Sequence, residues 1–320
     1  MAGEAPGLSV RRFGERPRQR QEPAPGPESS DLIPSATRTS RRGWWPVPAV
    51  KPRSMILDFY GSYGRQLGGW IAVADLISLM GDVGVSESAV RSSVSRMSQR
   101  GLLDRSRRRS AAGYALTDQA QAILRDGNRR LFTERQPADL DDGWAMAIFS
   151  VPEAERRKRH MLRSRLQRLG FGSAGAGLCI APRRLLEEAR EMLVRLQLDS
   201  YVDLFEARYA GFDDLTRMTH EWWDLESLRA GYAEFISTHR PILTSWEAGR
   251  GGSDREAFID YLTAVSEWRR LAYRDPGLPS EVLPEGWEGS SAAELFFAIA
   301  DHVEVAGRRH VEAATAVGEP

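Results

Sequence analysis

The stretch SESAVRSSVSRMSQRGLL, residues 86–103, spaces its apolar residues at the period of a helix. Val90, Val94 and Met97 follow one another at i, i+4 and i+7, which places them on one narrow side. The opposite side offers hydrogen-bonding and cationic groups but no carboxylate, and its members are Ser88, Arg91, Ser92, Ser95 and Gln99, flanked by Arg96 and Arg100. A solvated helix usually mixes both signs of charge, so this pattern predicts a helix with one side in a core and the other against an anion.

Two further helices are predicted just before this stretch. PRSMILDFYGSYGRQLGG, residues 52–69, has Pro52 at a helix start and two glycines at its end. IAVADLISLMGDVG, residues 71–84, is a shorter helix that ends at Gly81 and Gly84, and Ser86 then supplies an N-cap candidate for the next one. Three helices joined by short glycine-containing turns predict a helix-turn-helix.

The segment GLLDRSRRRSAAGYALT, residues 101–117, is predicted to form a hairpin. Leu102 and Leu103 begin one strand, and residues 114–116 form the other. The tip between them is strongly basic, with Arg105, Arg107, Arg108 and Arg109 against Asp104 alone. A helix-turn-helix followed by such a hairpin, or wing, predicts a winged-helix DNA-binding domain over residues 51–135, completed by a helix that Thr117 caps.

The formal net charge of zero hides an uneven distribution. Residues 1–130 contain 21 Lys and Arg against 12 Asp and Glu, whereas residues 131–320 contain 23 against 32, giving charges of +9 and −9. A basic front joined to an acidic remainder indicates that only the front binds a polyanion. Residues 1–50 are rich in Pro, Gly and Arg and have no apolar period, so we predict that this tail is disordered.

Length and composition exclude several classes of protein. A chain of 320 residues with 42% hydrophobic residues accommodates about two or three domains with real cores. Its longest apolar runs fall short of the roughly 18–20 residues of a membrane span, and its first residues lack the apolar segment of a secretion signal. The single cysteine, Cys179, rules out an intramolecular disulfide and a cysteine-based zinc cluster. We therefore expect a cytoplasmic protein with no membrane partner.

Residues 140–212 predict the order β-α-β-β-α-β, which is that of a ferredoxin-like domain. The strands are WAMAIFSV, the two halves of the hairpin FGSAGAGLCIAP, and SYVDLFEARY, while the helices are PEAERRKRHMLRSRLQRLG and RRLLEEAREMLVRLQ. Residues 213–316 predict a helical domain interrupted by the Pro/Gly loop DPGLPSEVLPEGWEGS. The fold class is thus α+β, with a winged helix first, a ferredoxin-like unit second and a helical domain last.

Several patterns suggest chemistry but are explained more simply. GFGSAG has GxGxxG spacing, yet a helix precedes it and a strand follows, which is the reverse of a dinucleotide loop. HEWWD has Asp224 in place of the second histidine of a zinc motif, and Cys179 lies in a predicted buried strand. We predict no catalytic residue, no metal site and no cofactor, and hence no enzyme.

RSMILDFYGSYGRQLGGWIAVADLISLMGDVGVSESAVRSSVSRMSQRGLL and the later DPGLPSEVLPEGWEGSSAAELF resemble the PaaX family of bacterial transcriptional regulators. The resemblance extends over about residues 51–315 and includes the order of the three parts. It implies a dimeric repressor of phenylacetate catabolism or a related pathway, which an aryl-acetyl coenzyme A thioester releases from its operator. The central unit also looks similar to small CRISPR-associated nucleases, but residues 149–152, Phe-Ser-Val-Pro, lack the acid that those enzymes carry after their first strand, so we expect no nuclease activity.

In a winged helix, the helix from Ser86 to Arg100 enters the major groove of double-stranded DNA. Arg pairs best with guanine and Gln with adenine, so Arg91 and Gln99 are the predicted base-reading residues. The serine hydroxyls, Arg96 and Arg100 are predicted to contact phosphates, and the wing arginines the flanking backbone or the minor groove.

An effector pocket for a thioester needs cations beside aromatic rings. The candidates near the first central strand are Trp144, Phe149, Arg156, Arg157, Arg183 and Arg184. Ion pairs with the many neighbouring acids are the simpler explanation of these arginines. Two other functions remain open from the sequence: a coenzyme A thioester enzyme with an attached DNA-binding domain, and an interaction protein that binds DNA without sequence preference.

Overall fold

The computed structural model describes residues 51–108, 110–132 and 138–316. The predicted disordered tail and Arg109 lie outside these residues. The first part of the chain forms α1 (Pro52–Tyr63), β1 (Trp70–Ala72), α2 (Val73–Asp82), α3 (Glu87–Gln99), β2 (Leu103–Arg108), β3 (Ala111–Leu116) and α4 (Asp118–Phe132). Its three strands form an antiparallel sheet in the order β1-β3-β2.

Strand β1 departs from the sequence-based prediction, which assigns residues 71 and 72 to the second helix. Helix α1 ends at Tyr63, and Gly68 and Gly69 follow with φ values of +58° and +74°. This left-handed backbone, which glycine adopts without strain, turns the chain so that residues 70–72 pair with β3. Three residues are too few to show an apolar period, so the pairing comes from tertiary contacts rather than from a local pattern.

The central part contains β4 (Trp144–Phe149), α5 (Arg156–Arg168), β5 (Gly172–Gly175), β6 (Leu178–Pro182), α6 (Leu186–Arg195) and β7 (Val202–Ala207). The six elements have the predicted order along the chain, and the strands form an antiparallel sheet in the order β5-β6-β4-β7. Leu162 and Leu166 of α5 are buried beneath one face of the sheet with Leu193 of α6. Met161, which the apolar pattern places on the buried side, is 37% exposed.

The last part is helical, with α7 (Leu215–Trp222), α8 (Leu225–Glu247), α9 (Asp254–Arg274) and α10 (Gly289–Ala316). The pattern of EWWDLESLRAGYAEFISTHRPIL predicts one helix, but the helix is interrupted at Trp223 and Asp224. The Asp224 carboxylate caps α8 by accepting a hydrogen bond from the Ser227 amide at 3.1 Å. No helix in the described ranges is both long and apolar enough to span a bilayer.

One hydrophobic core joins the N-terminal helices to the C-terminal ones. Phe59 and Tyr63 of α1 pack against Phe258 of α9, with ring centroids 6.4 and 5.6 Å apart. Trp268 of α9 stacks on Phe296 of α10 at 5.3 Å and donates its indole N–H to the Leu131 carbonyl of α4. Helices α1 and α4 therefore pack against α9 and α10, although the central sheet lies between these two pairs of helices in sequence.

A buried ion pair crosses this core between α1 and α9. Asp58 Oδ1 contacts Arg269 Nε, and the side chains are 1% and 16% exposed. Burial raises the pKa of the Asp58 carboxyl, and the positive charge of Arg269 opposes the rise. Two charges removed from water in this way are tolerated only together.

Replacing Asp58 with Ala should lower the free energy of unfolding by about 3–5 kcal/mol, because Arg269 is then a buried charge without its partner. The matched control is Asp203→Ala on the exposed side of β7, which should change stability by less than about 0.5 kcal/mol. Urea denaturation followed by circular dichroism measures both. Equal decreases in the two variants would contradict a structural role for the pair.

Candidate nucleic-acid interface

Helix α3 begins and packs as its sequence predicts. Ser86 Oγ accepts a hydrogen bond from the Ala89 amide at 3.4 Å and caps the helix. Val90, Val94 and Met97 are buried in the core shared with α1 and α2. Ser93 is also buried, at 2% exposure, which the apolar pattern does not reveal.

The other side of α3 is open to solvent over its whole length. All seven polar residues that the sequence assigns to this side are exposed: Ser88, Arg91, Ser92, Ser95, Arg96, Gln99 and Arg100. Arg96 Nη2 donates to Ser92 Oγ at 3.1 Å, which links two of them along the helix. The helix thus presents one continuous row of donors, hydroxyl groups and guanidinium groups.

Arg91 is not free of acidic neighbours. Its Nε donates to Glu87 Oε1 at 2.8 Å, one helical turn earlier, and both side chains are more than half exposed. The residues that the sequence predicts for this side of α3 do not include Glu87. An acid four residues before an arginine in a helix is nevertheless a recognised ion-pair partner. An exposed pair of this kind contributes at most about 1 kcal/mol, so an anion of higher charge density can displace the carboxylate.

The hairpin after α3 divides the three described wing arginines between its two faces. Strand β2 continues through Arg108, so Arg105, Arg107 and Arg108 lie on a strand and not in the loop tip where the sequence pattern places them. Arg105 pairs with Tyr114 and Arg107 with Ala112, and alternation along the strand puts both on the face of Leu103, which is buried beside α3. Arg108 lies on the opposite face.

Trp70 organises this opposite face. The Arg108 guanidinium lies 5.2 Å from the centroid of the Trp70 ring, and the indole N–H donates to Ser106 Oγ at 3.1 Å. The ring covers Gly113 so closely that a Cβ there would lie 2.4 Å from it and 2.3 Å from the Ile71 carbonyl oxygen. Sequence reasoning missed Trp70 and Gly113, because their importance depends on the pairing of β1 with β3.

Arg53, at the start of α1, adds a further cation that the sequence did not single out. Partial burial lowers the pKa of its guanidinium, and the positive charges of Arg100 and Arg168 lower it further. Because those two residues lie at the ends of α3 and α5, three elements bring arginines together at this place.

The predicted effector residues do not come together. Trp144 and Phe149 are five residues apart on β4 and are buried on opposite faces of the sheet, so they cannot line one pocket. Arg183 forms an ion pair with Glu206 at 2.9 Å, and Arg184 donates to the Pro276 carbonyl at 3.0 Å. Arg156 and Arg157 are exposed on α5.

A cavity of about 250 Å³ lies instead between residues 167–173 and the C-terminal helices. Its aromatic walls are Phe171, Trp222 and Trp223, and the Trp223 indole is held by a 2.9 Å hydrogen bond to the Gly170 carbonyl. Arg274 reaches the same space and donates to Ser227 Oγ at 2.9 Å. This cavity therefore combines aromatic surface with a guanidinium.

Cys179 has the properties of a core residue. The thiol is buried among the apolar residues of the central sheet, and this burial raises its pKa to about 11. The thiolate that nucleophilic attack requires is therefore disfavoured at neutral pH.

Comparisons with known proteins point to one family over residues 51–313. Three family profiles match it: PaaX-like protein over residues 51–120, PaaX protein central Cas2-like domain over residues 137–219, and PaaX-like protein C-terminal domain over residues 223–313. The chain is 28% identical over 276 residues to the transcriptional repressor PaaX of Escherichia coli strain K12, an alignment that covers 84% of this chain and 86% of the repressor.

Among solved structures, an uncharacterized protein from Mycobacterium tuberculosis matches with a TM-score of 0.50 and 23% identity, over 83% of this chain and 99% of that one. At this identity the likeness shows the fold alone.

Replacing Gly113 with Ala should destabilise the hairpin by about 1–3 kcal/mol, because the new methyl group overlaps Trp70 and the Ile71 carbonyl. The matched control is Gly81→Ala in α2, where a Cβ meets nothing within 4 Å and should stabilise by up to about 1 kcal/mol. Thermal unfolding compares the two variants. An unchanged melting temperature for Gly113→Ala would show that Trp70 does not pack over this site.

Proposed function

The chain belongs to the PaaX family, and we propose that it is a transcriptional repressor that binds operator DNA through the winged helix predicted for residues 51–135. Family membership indicates a transcriptional regulator rather than an enzyme. The observation that best supports DNA binding is the set of exposed polar and cationic side chains on α3. Its buried side is fixed in the core, and its exposed side aligns seven polar or cationic side chains.

In this proposal α3 enters the major groove, which is about 12 Å wide and admits a helix. Arg91 and Gln99 read base edges, Arg91 after exchanging Glu87 for an acceptor on guanine. Ser88, Ser92, Ser95, Arg96 and Arg100 contact phosphates and fix the register of the helix on DNA.

The wing contributes through two of its described arginines. Arg105 and Arg107 lie on the hairpin face that adjoins α3, so they are directed toward the same stretch of DNA. Arg108 braces the hairpin against Trp70 and contributes indirectly. The role of Arg109 stays a sequence-based prediction.

We further propose that the protein binds DNA as a homodimer, because helix-turn-helix repressors commonly bind two half-sites about one helical turn apart. Sedimentation velocity of the free protein and of its DNA complex tests this point.

The proposed effector is an aryl-acyl coenzyme A thioester, which would release the repressor from DNA. The cavity bounded by Phe171, Trp222, Trp223 and Arg274 supports it better than the residues predicted from the sequence, because here aromatic rings and a cation do share one space. About 250 Å³ accommodates an aryl-acyl group but not a whole thioester. The nucleotide portion would therefore lie outside, along the mouth of the cavity.

Fluorescence anisotropy on a duplex from the upstream region of the gene, beside a scrambled duplex, tests the proposed function. Titrations over a salt series, with and without a panel of acyl coenzyme A thioesters, should show preference for the native duplex and its disappearance with one thioester. Equal binding of both duplexes and indifference to every thioester would favour an interaction protein without sequence preference.

Arg91→Ala should weaken binding to the native duplex and reduce its preference over the scrambled one by about 1–3 kcal/mol, the discrimination of one bidentate base contact. Anisotropy titrations of both duplexes at one salt concentration measure the difference.

Glu87→Gln is the matched comparison for Arg91→Ala. It keeps the guanidinium and removes the carboxylate that competes for it, so affinity for both duplexes should rise. If Arg91→Ala instead weakens binding to the two duplexes equally, Arg91 contacts a phosphate and not a base.

Replacing Arg105 and Arg107 together with Ala should make the dependence of log K on log salt shallower, by up to about 0.9 for each phosphate that the variant no longer neutralises. Arg108→Ala removes a like charge from the opposite face of the hairpin and should change this slope little. A larger effect from Arg108→Ala would show that the other face of the wing meets DNA.

A further inference from the structure

Helix α5 differs in charge from the rest of the acidic portion of the chain. Its 13 residues, RRKRHMLRSRLQR, include seven Lys and Arg and no carboxylate. Helix α6, in the same part of the fold, has the sequence LEEAREMLVR and mixes both signs, with Arg190 paired to Glu187 at 3.5 Å. A surface helix usually has the composition of α6, so α5 requires a separate explanation.

Some cations of α5 are used within the protein. Lys158 Nζ donates to Glu155 Oε1 at 2.7 Å and to Tyr201 Oη at 2.6 Å, and Arg159 pairs with Glu153 at 3.1 Å. Arg163 Nη2 donates to Ser173 Oγ at 2.7 Å. These contacts fix the start of the helix and its flank against the sheet.

Other cations form a row on the solvent side of α5. Arg157, Arg165 and Arg168 are exposed, and their spacing of i, i+8 and i+11 places them on one side of the helix. Arg157 and Arg165 have no carboxylate partner in the part of the chain that the structure describes. The row extends for about 17 Å, roughly half of a helical turn of DNA.

The row leads toward the DNA-facing part of the fold. Arg168, at its end, is near enough to Arg53 to act on that guanidinium together with Arg100, which directly follows α3. The start of α1, the end of α3 and the end of α5 therefore bring arginines from three elements together. Like charges held close together repel one another, and a polyanion relieves this repulsion.

We propose that Arg157, Arg165 and Arg168 of α5, joined through Arg53 to Arg100 at the edge of the α3 surface, form a second phosphate-binding surface that contacts operator DNA beyond the base pairs covered by α3 and the wing. This inference rests on the proposed function. It extends the DNA-binding surface from the first part of the chain into the central part. The contacts would carry no sequence information, because phosphates are common to every sequence.

The test uses the full-length protein and two duplexes with the same central site, one ending at the edges of the α3 footprint and one extended by a helical turn on each side. The wild-type protein should show a steeper salt dependence on the long duplex. Arg157→Ala combined with Arg165→Ala should reduce that slope by up to about 1.8, or about 0.9 for each phosphate. Between 50 and 200 mM salt, the affinity would then fall about 12-fold less than for the wild type.

On the short duplex the double variant should bind like the wild type, and hydroxyl-radical protection should disappear only in the flanking DNA. The matched control, Arg190→Ala with Arg195→Ala on α6, removes the same charge and should leave both slopes unchanged. Circular dichroism and melting temperature check that each variant is folded.

The outcomes separate this inference from the proposed function. Sequence-specific binding with equal slopes on the two duplexes, or with an unaltered slope in the α5 variant, overturns the second surface and leaves the repressor proposal intact. A change in sedimentation without a change in slope assigns the row to a protein partner and also overturns it. Failure of the wild-type protein to prefer its native duplex overturns the proposed function itself.

Discussion

The ion pair of Asp58 with Arg269 sets the position of α1 relative to α9, and the rest of the N-terminal part depends on that position. Each charge is tolerated in the core only because the other is beside it. Helix α1 in turn supports α3, since Phe59 and Val90 belong to the same buried cluster as Phe258 of α9. Helix α3 is therefore held by the C-terminal helices and not by a flexible linker, and the order of the sequence does not describe the order of packing.

In the proposed mechanism, α9 connects the effector cavity to α1. Arg274 reaches the cavity from the last turn of α9, and Arg269, five residues earlier on the same helix, pairs with Asp58 of α1. Under this proposal, a ligand that draws Arg274 away from Ser227 would act on the helix that packs against α1. The cavity walls come from two parts of the fold, residues 167–173 and the C-terminal helices, so closing them around an acyl group changes the contacts between these parts.

The sequence predicts α3 well because three local signals coincide there: apolar residues at helical spacing, the Ser86 cap, and an exposed side on which Glu87 is the single acid beside several cationic and hydroxyl side chains. Features that depend on partners distant in sequence could not be predicted, and strand β1 with its Trp70 and Gly113 contact is the clearest of them. The placement of Trp144 and Phe149 in one pocket ignores a local rule, since residues five apart on a strand point to opposite faces. The Arg91 and Glu87 pair is similarly visible at i and i+4. The cavity cannot be predicted locally, because Phe171, Trp222 and Arg274 are each about 50 residues apart along the chain.

The charges of the two portions of the chain also constrain how the molecule can meet DNA. Residues 131–320 carry a formal charge of −9, so most of this portion repels phosphates and DNA can approach only where cations locally dominate. Helix α3, the inner face of the wing and α5 are such places among the described residues, and Arg53 connects the first of them to the last. An acidic body with basic contact surfaces favours one orientation of approach, because any other brings carboxylates against the phosphates. In the proposed complex, the carboxylates of residues 131–320 would thus favour one orientation without contacting DNA themselves.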